Sequence, residues 1–350
     1  MRRLSLPLLA FVMASAPAGA AEPDKPAVGE LKTFGDWTVG CSNLKGCTAL
    51  GLPPEDGAAV AYLKVLRGAG GEARPEVSVV FLPENEDATD APLDLELQGA
   101  KDTPLPVASL PGEASGGYAV APVGAQVAAP FLAALLKGET LSVRQGGTGD
   151  PVAVSLKGMS AALRYMDAEQ GREGGVTALV AKGGKPAEAV PAAPSPAPVR
   201  ALKLTGLDPV PALPEGIPKP GEDCGESTEP EAYEAANGAR IFGICSFAAA
   251  YNSGTEYWLA DQKGVRQLSF LVPGEDGSDF DGLVNAGLDE HGLTMIDFNK
   301  GRGIGDCGST SSWNFDGEAF RLVQLSALGE CRGVSPGDWP ELYSRPTAGE

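Results

Sequence analysis

The chain has 350 residues and carries 46 Asp and Glu against 27 Lys and Arg, a formal net charge of −19. A phosphate backbone and an anionic membrane surface both attract basic proteins, so this balance argues against nucleic-acid binding and adhesion to membrane surfaces. Hydrophobic residues make up 43% of the chain, enough for packed cores, and the length fits two domains.

The first twenty residues have the features of a secretory signal peptide. Arg2 and Arg3 give a positive start, residues 4–13 are mainly apolar, and Ala18-Gly19-Ala20 is a small-x-small cleavage pattern. We therefore predict cleavage after Ala20, a periplasmic or secreted location, and an N-terminal tail over residues 21–30. No run in the chain reaches the roughly 18 apolar residues of a membrane-spanning helix, so no membrane span is expected.

Residues 31–183 are predicted to form a β-rich domain. Alternating apolar and polar residues, with Gly, Pro and Asp between the runs, are typical of strands in an antiparallel sandwich. Helices are expected at 130–137, ending at Gly138, and at 160–167, with Ser160 as the capping residue. Strands are expected at 34–41, 61–66, 76–82, 93–97, 140–144 and 152–156.

A change in composition separates this domain from the next. Residues 184–200 are rich in proline and alanine, which predicts an extended, semi-rigid linker that lets the two halves move independently. Residues 201–345 are predicted to form a second β-rich domain, which contains disulfides and a hairpin turning at Asp316-Gly317. Its other strands are expected at 241–245, 256–259, 265–270 and 293–298. The predicted fold is mainly β: two antiparallel, sandwich-like domains with a few short helices.

The even number of cysteines in an exported chain indicates disulfide bonds. Six cysteines allow 15 pairings, and proximity along the chain favours Cys41–Cys47, Cys224–Cys245 and Cys307–Cys331. A zinc site is disfavoured because the sequence has no C-x-x-C and only one histidine, His291. No metal or cofactor is predicted.

Motifs that suggest catalysis or cofactor binding are weak. Residues 303–308 match G-x-G-x-x-G, but Asp306 would lie among the phosphates and a strand is expected to follow, which favours a turn. His291 lies in a turn-like stretch, and no G-x-S-x-G accompanies it. Two acidic stretches, 84–87 with Asp90 and 275–282, could bind calcium, although solvated turns are favoured over that role. No catalytic residue is assigned.

Six residues are candidates for binding. Tyr251 and Asn252, near Tyr257 and Trp258, could form a platform for a sugar or peptide, although strand aromatics more often pack in a core. Arg302, Asp306 and Arg332 flank Cys307 and Cys331, where a structural ion pair is favoured over an anion site. The sixth candidate is Trp37, in the run 34–41.

Several segments resemble known families. Phe34-Gly35-Asp36-Trp37-Thr38-Val39-Gly40-Cys41, followed by Cys47-Thr48-Ala49, resembles the opening of the invasion-associated locus B proteins. Further segments, in particular the glycine-rich 301–308, resemble the bacterial envelope family known as domain of unknown function 1176. The remaining segments are 156–167 with 170–172, 250–252, and 330–333 with 339–340. The resemblance implies an exported, disulfide-containing, β-rich protein of proteobacterial type, and it supplies no catalytic residues.

The signal peptide, the cysteines and the lack of catalytic motifs together favour a non-enzymatic, periplasmic binding or envelope-maintenance protein. An envelope protein or glycan would then be its partner. The alternative is a hydrolase that uses paired carboxylates on envelope glycan or peptide, since 46 acidic residues supply many pairs.

Overall fold

The computed structural model describes residues 27–55, 59–84, 88–147, 149–225, 229–270, 272 and 280–348. The predicted signal peptide, residues 85–87 of the first acidic stretch and most of the 275–282 stretch lie outside the described residues. The described chain is mainly β, with antiparallel sheets and two α-helices, which confirms the predicted fold class.

Two antiparallel sheets and both helices form the first half. One sheet has seven strands and the other has four, in the orders β1-β2-β3-β4-β5-β9-β8 and β11-β10-β6-β7. The strands are Leu31–Phe34 (β1), Trp37–Cys41 (β2), Cys47–Gly51 (β3), Val60–Arg67 (β4), Glu76–Leu82 (β5), Leu93–Gln98 (β6), Ser109–Leu110 (β7), Glu113–Ser115 (β8), Tyr118–Val123 (β9), Thr140–Gln145 (β10) and Val152–Ser155 (β11). The helices are Ala128–Leu135 (α1) and Met159–Glu169 (α2). Alternate residues of both sheets, with one face of each helix, enclose one apolar core.

Two local predictions in this half were wrong. The run 34–41 is not one strand, because Gly35 adopts φ +59° and turns the chain between β1 and β2. Ser160 lies inside α2, and Gly158 is the N-cap instead. Gly158 has φ +101°, a conformation that glycine adopts without the steric cost of a side chain.

The proline-rich stretch leads into a short strand, Val199–Arg200 (β12). This strand pairs in parallel with Thr347–Ala348 (β24) at the other end of the second half. The pairing places the end of the stretch beside the C-terminal residues of the described chain.

A six-stranded and a five-stranded sheet make up most of the second half. The first has the order β13-β14-β15-β16-β17, with β18 also paired to β16, and the second has the order β19-β20-β21-β22-β23. The strands are Leu204–Gly206 (β13), Glu231–Ala235 (β14), Arg240–Ala248 (β15), Ser253–Asp261 (β16), Gly264–Gln267 (β17), Leu283–Val284 (β18), Gly287–Leu288 (β19), Thr294–Lys300 (β20), Gly308–Phe315 (β21), Phe320–Leu328 (β22) and Glu341–Ser344 (β23). Tyr257, Phe270, Trp313 and Phe320 pack together in its apolar core.

A third apolar cluster joins the two halves. Leu50, Leu52 and Tyr62 of the first half pack with Val334 and Trp339 of the second. The Tyr62 hydroxyl donates a 2.6 Å hydrogen bond to Asp338, which also pairs with Lys64. The halves therefore share buried surface in this structure. None of the described helices has the length and apolar character needed to cross a membrane.

Candidate functional site

Trp37 belongs to the core of the first half. Its side chain has no exposed surface, and its indole N–H donates a 3.0 Å hydrogen bond to the carbonyl oxygen of Ser155. In this structure the side chain is used for packing and has no surface to offer a ligand.

Asn252 connects the turn after β15 to the end of β20. Its amide nitrogen donates to the Lys300 carbonyl at 3.0 Å, and its amide oxygen accepts from the Lys300 N–H at 3.1 Å and from the Asn285 amide at 2.9 Å. Tyr251 is 43% exposed, and its hydroxyl donates to the Gly301 carbonyl. Asn252 thus holds a turn in place, while Tyr251 keeps an open face.

Arg302 and Asp306 form a bidentate ion pair beside a disulfide. The two guanidinium–carboxylate contacts are 2.7 and 2.5 Å, and the Gly333 N–H donates to the same carboxylate at 2.6 Å. Burial acts to raise the pKa of Asp306, but the hydrogen bonds from Arg302 and Gly333 outweigh it and lower that pKa below its usual range. The pair fixes the 301–306 turn against the chain that follows β22.

Arg332 lies between the two halves. It donates to the Pro53 carbonyl at 3.3 Å and to Glu55 at 3.1 Å, and it is 4.0 Å from Asp36. Arg302, Asp306 and Arg332 are the three charged residues that the sequence placed near Cys307 and Cys331. The geometry gives all three a structural partner.

The structure contains the disulfides Cys41–Cys47, Cys224–Cys245 and Cys307–Cys331, the pairs that proximity along the chain favours. A carboxylate oxygen of Asp306 and the sulfurs of Cys307 and Cys331 lie within 4.8 Å of one another. Because the sulfurs are bonded to each other, they are not thiolates, and Asp306 alone does not make a metal site. The 303–308 glycines form a turn into β21, as predicted.

A groove in the second half combines cavities, cations and aromatic side chains. Its first cavity has a volume of about 540 Å³, and its charged wall contains Arg200, Arg321 and Arg345 against the single carboxylate of Asp316. The apolar wall is contributed by Pro198, Val199, Trp313, Phe320, Leu322 and Tyr343. Three arginines around one cavity are notable in a chain with a formal charge of −19.

Hydrogen bonds position two of these arginines. The Arg321 Nε donates to Asp316 at 2.7 Å, and Asp316 also accepts the N–H groups of Glu318 and Ala319 in the hairpin turn. The Arg345 Nε donates to the Ala197 carbonyl at 2.9 Å. A guanidinium has five N–H donors, so each can bond through Nε and still offer its terminal nitrogens to a carboxylate.

Two further cavities adjoin the first around the same turn. One, of about 680 Å³, shares Arg200 and Asp316 with the first and adds Asp261, Glu318 and Lys263. The other, of about 380 Å³, lies between β17 and the turn and shares Arg321 with the first cavity. The three cavities share lining residues around the 316–319 turn, and we call them together the 316–319 groove.

Sequence reasoning missed this groove, although it found the Asp316-Gly317 turn. The arginines come from three distant segments, and the parallel pairing of β12 with β24 brings Arg200 and Arg345 to the same cavity. Parallel pairing of two-residue strands leaves no periodic pattern in the sequence.

A carboxylate pair lies elsewhere in the second half. Glu256, in β16, is partly buried, and burial followed by the charge of Asp281 raises its pKa above its usual value. Asp281 accepts the N–H of Phe270 at 2.6 Å. This arrangement meets one requirement of acid–base catalysis, a carboxyl group with a raised pKa beside a second carboxylate.

Known proteins resemble the chain along most of its length. A family model described as "Protein of unknown function (DUF1176)" matches residues 31–346. The chain is 29% identical over 334 residues to "Uncharacterized protein YpfG" of Escherichia coli (strain K12), covering 89% of this chain and 92% of that protein. No solved structure matches the chain.

Proposed function

The chain belongs to the DUF1176 family of proteins of unknown function, and we propose that it is a non-enzymatic binding protein of the bacterial envelope. The 316–319 groove carries the proposal. Binding sites for small ligands are concave and partly apolar, with a few convergent polar groups. The first cavity of the groove has that composition, with arginines facing an apolar wall.

The ligand of this proposal is anionic. Arginines recognise carboxylates and phosphates through paired N–H groups, and a cavity with low-dielectric walls strengthens that attraction. The rest of the chain is acidic and repels anions at long range, so specificity would depend on the groove itself. The ligand would belong to an envelope protein or glycan.

The location is part of the same proposal. Residues 1–20 would direct export, with cleavage after Ala20, and residues 31–183 would form a module of the invasion-associated locus B type. The three disulfides are compatible with an oxidising compartment outside the cytoplasm. N-terminal sequencing of the protein from a periplasmic fraction should begin at Ala21, and an intact Met1 would overturn this part.

The groove is tested with the chain from residue 21 onward, purified after exposure to an envelope extract and examined by native mass spectrometry. We expect an acidic ligand to remain bound, unchanged in mass, to the parent protein and to the control double variant Arg164→Gln/Arg240→Gln. The double variant Arg321→Gln/Arg345→Gln should lose at least tenfold in affinity. Equal retention by both variants, or no retained ligand, would contradict the proposal.

The raised pKa of Glu256 supports a second candidate function, hydrolysis of envelope glycan or peptide. Glu256 would act as the general acid, and Asp281 would be the second carboxylate of the pair. Released fragments that disappear with Glu256→Gln, but persist with the exposed control Glu96→Gln, would support this candidate. If the parent protein releases none, this candidate fails.

A further inference from the structure

Charge is distributed unevenly along the 316–319 groove. The first cavity has three arginines against one carboxylate, whereas the 680 Å³ cavity has Asp261, Asp316 and Glu318 against Arg200 and Lys263. The two cavities share Arg200 and Asp316 and are therefore adjacent. A ligand with a negative end and a positive end would match this polarity.

All three acidic groups already have a cationic partner: Asp261 pairs with Arg266, Asp316 with Arg321, and Glu318 with Lys263. Glu318 pairs with Lys263 at 2.9 Å, and both side chains are 71% exposed. Such a pair contributes little to stability in water, so an incoming cation can replace it at small cost. Asp261 is less exposed and pairs with Arg266.

The third cavity is bordered by the edge of a sheet. Strand β17 is the last strand of the six-stranded sheet, and among the described strands it pairs only with β16. Its residues Gly264, Val265 and Arg266 line the 380 Å³ cavity, opposite the 316–319 turn. The other edge of β17 can therefore present backbone N–H and C=O groups to a second chain.

We propose that the 316–319 groove binds a short, extended peptide with free ends, whose carboxylate lies against Arg321 and Arg345 and whose amine lies against Glu318 and Asp261. This inference rests on the proposed function and names its ligand class. The main chain of the peptide extends along β17 by strand addition. A strand whose residues line the 380 Å³ cavity favours a peptide over a saccharide, because strand addition needs regularly spaced amides, which a saccharide lacks.

The apolar wall of the first cavity also sets a preference for the side chain of the C-terminal residue of the peptide. Val199, Leu322 and Trp313 line it next to the arginines. An aliphatic C-terminal residue would pack against this wall.

The probe is the tetrapeptide Ala-Ala-Ala-Leu, about 13 Å long when extended, used with the chain from residue 21 onward in titration calorimetry. Four forms are compared: free ends, acetylated amine, amidated carboxylate, and both ends capped. We expect each cap to weaken binding about tenfold, the size of one charge-assisted hydrogen bond. Methylation of the central amide nitrogen should weaken binding as well, because it removes a hydrogen bond to β17.

Variants assign each end of the peptide to its side of the groove. In Arg345→Gln the preference for the free acid over the amidated form should shrink, and in Glu318→Gln the preference for the free amine over the acetylated form should shrink. Arg164→Gln, an exposed arginine on α2 in the other half of the chain, should retain both preferences.

A parallel titration with tri-galacturonic acid separates failure of the ligand class from failure of the function. If that saccharide binds and Arg345→Gln abolishes its binding, while no tetrapeptide binds, the peptide assignment is overturned and the anionic groove stands. If neither probe binds and the envelope extract supplies no ligand, both proposals fall. Caps that leave the affinity unchanged would also overturn the peptide assignment.

Discussion

Two buried arginines, Arg67 and Arg172, lie near the buried carboxylate of Asp167 in the first half of the chain. Arg67 donates to Asp167 at 3.3 Å, and the Asp167 carboxylate also accepts the N–H groups of Leu179 and Val180. Arg172 bonds instead to backbone carbonyls, Gln170 and Thr177. Burial lowers the pKa of Arg67 to about 10, which still leaves its guanidinium charged at neutral pH.

We expect Asp167→Asn to be among the most damaging single substitutions in this half. It removes the only carboxylate of the network and leaves the charges of Arg67 and Arg172 buried without a counter-ion. Such losses cost about 3–5 kcal/mol, measurable as a lower free energy of unfolding in urea. Asp102→Asn, at an exposed position, is the matched control. Equal effects of the two substitutions would contradict this account.

Asp306 makes the folding stability of the protein depend on pH. Because its pKa is lowered in the folded state, the stability it contributes is fully present above its unfolded pKa of about 3.9 and is lost as pH falls through the folded pKa. Asp306→Asn should therefore be about 1–3 kcal/mol less stable than the parent at pH 6. The difference should shrink by pH 3. A constant difference across this range of urea titrations would show that the charge is not responsible.

Among the elements, helix α2 depends on a glycine at its start. A Cβ on Gly158 would lie 1.6 Å from the Phe34 carbonyl oxygen, in the turn that separates β1 from β2. The close approach positions α2 against the first strands. The sequence showed a glycine before a helix, but the atom that excludes a side chain comes from more than a hundred residues earlier.

Comparing Gly158→Ala with Gly117→Ala separates the cost of this close contact from the cost of placing alanine in a positive-φ backbone conformation. Gly117 also has a positive φ, +87°, but an added Cβ there would meet nothing within 4 Å. Gly117→Ala should cost about 1–2 kcal/mol from conformation, and Gly158→Ala should cost clearly more because backbone must move. Thermal and urea unfolding of both variants give the comparison. A smaller effect at Gly158 would mean that the turn relaxes easily.

For the whole molecule, the two halves are joined by noncovalent contacts. Each disulfide lies within one half. The cluster around Val334 and Trp339, the Tyr62–Asp338 hydrogen bond and the Arg332 contacts all cross between the halves. The linker predicted from composition therefore connects two halves that also share an interface, which the linker's own sequence does not reveal.

A cut in the linker should leave the halves together. With a protease site inserted in the exposed stretch 191–195, we expect the cleaved fragments to elute as one species in size-exclusion chromatography. Val334→Asp places a charge where the side chain has no exposed surface, so this variant should separate after cleavage. Ile304→Asp, at a 76% exposed position, should remain associated. Fragments of the parent that separate at once would show that the interface is weak.

Much of the fold followed from local patterns. Strand β5 was predicted at its observed bounds, and the Asp316-Gly317 hairpin lies where the turn residues indicated. Period-2 alternation and turn residues are local signals, and a half-buried strand must show them. β3 and β9 were missed as strands, because small or apolar residues on both faces hide the alternation.

The sequence by itself determined the mainly β class, the acidic charge and the likeness to the DUF1176 family, because composition and local periodicity carry that information. Only the tertiary structure decided that Arg302, Asp306 and Arg332 hold structural contacts. It also decided that Arg200, Arg321 and Arg345 surround one cavity. Such groupings depend on pairing between strands far apart in the chain, and a nonlocal contact leaves no local pattern to read.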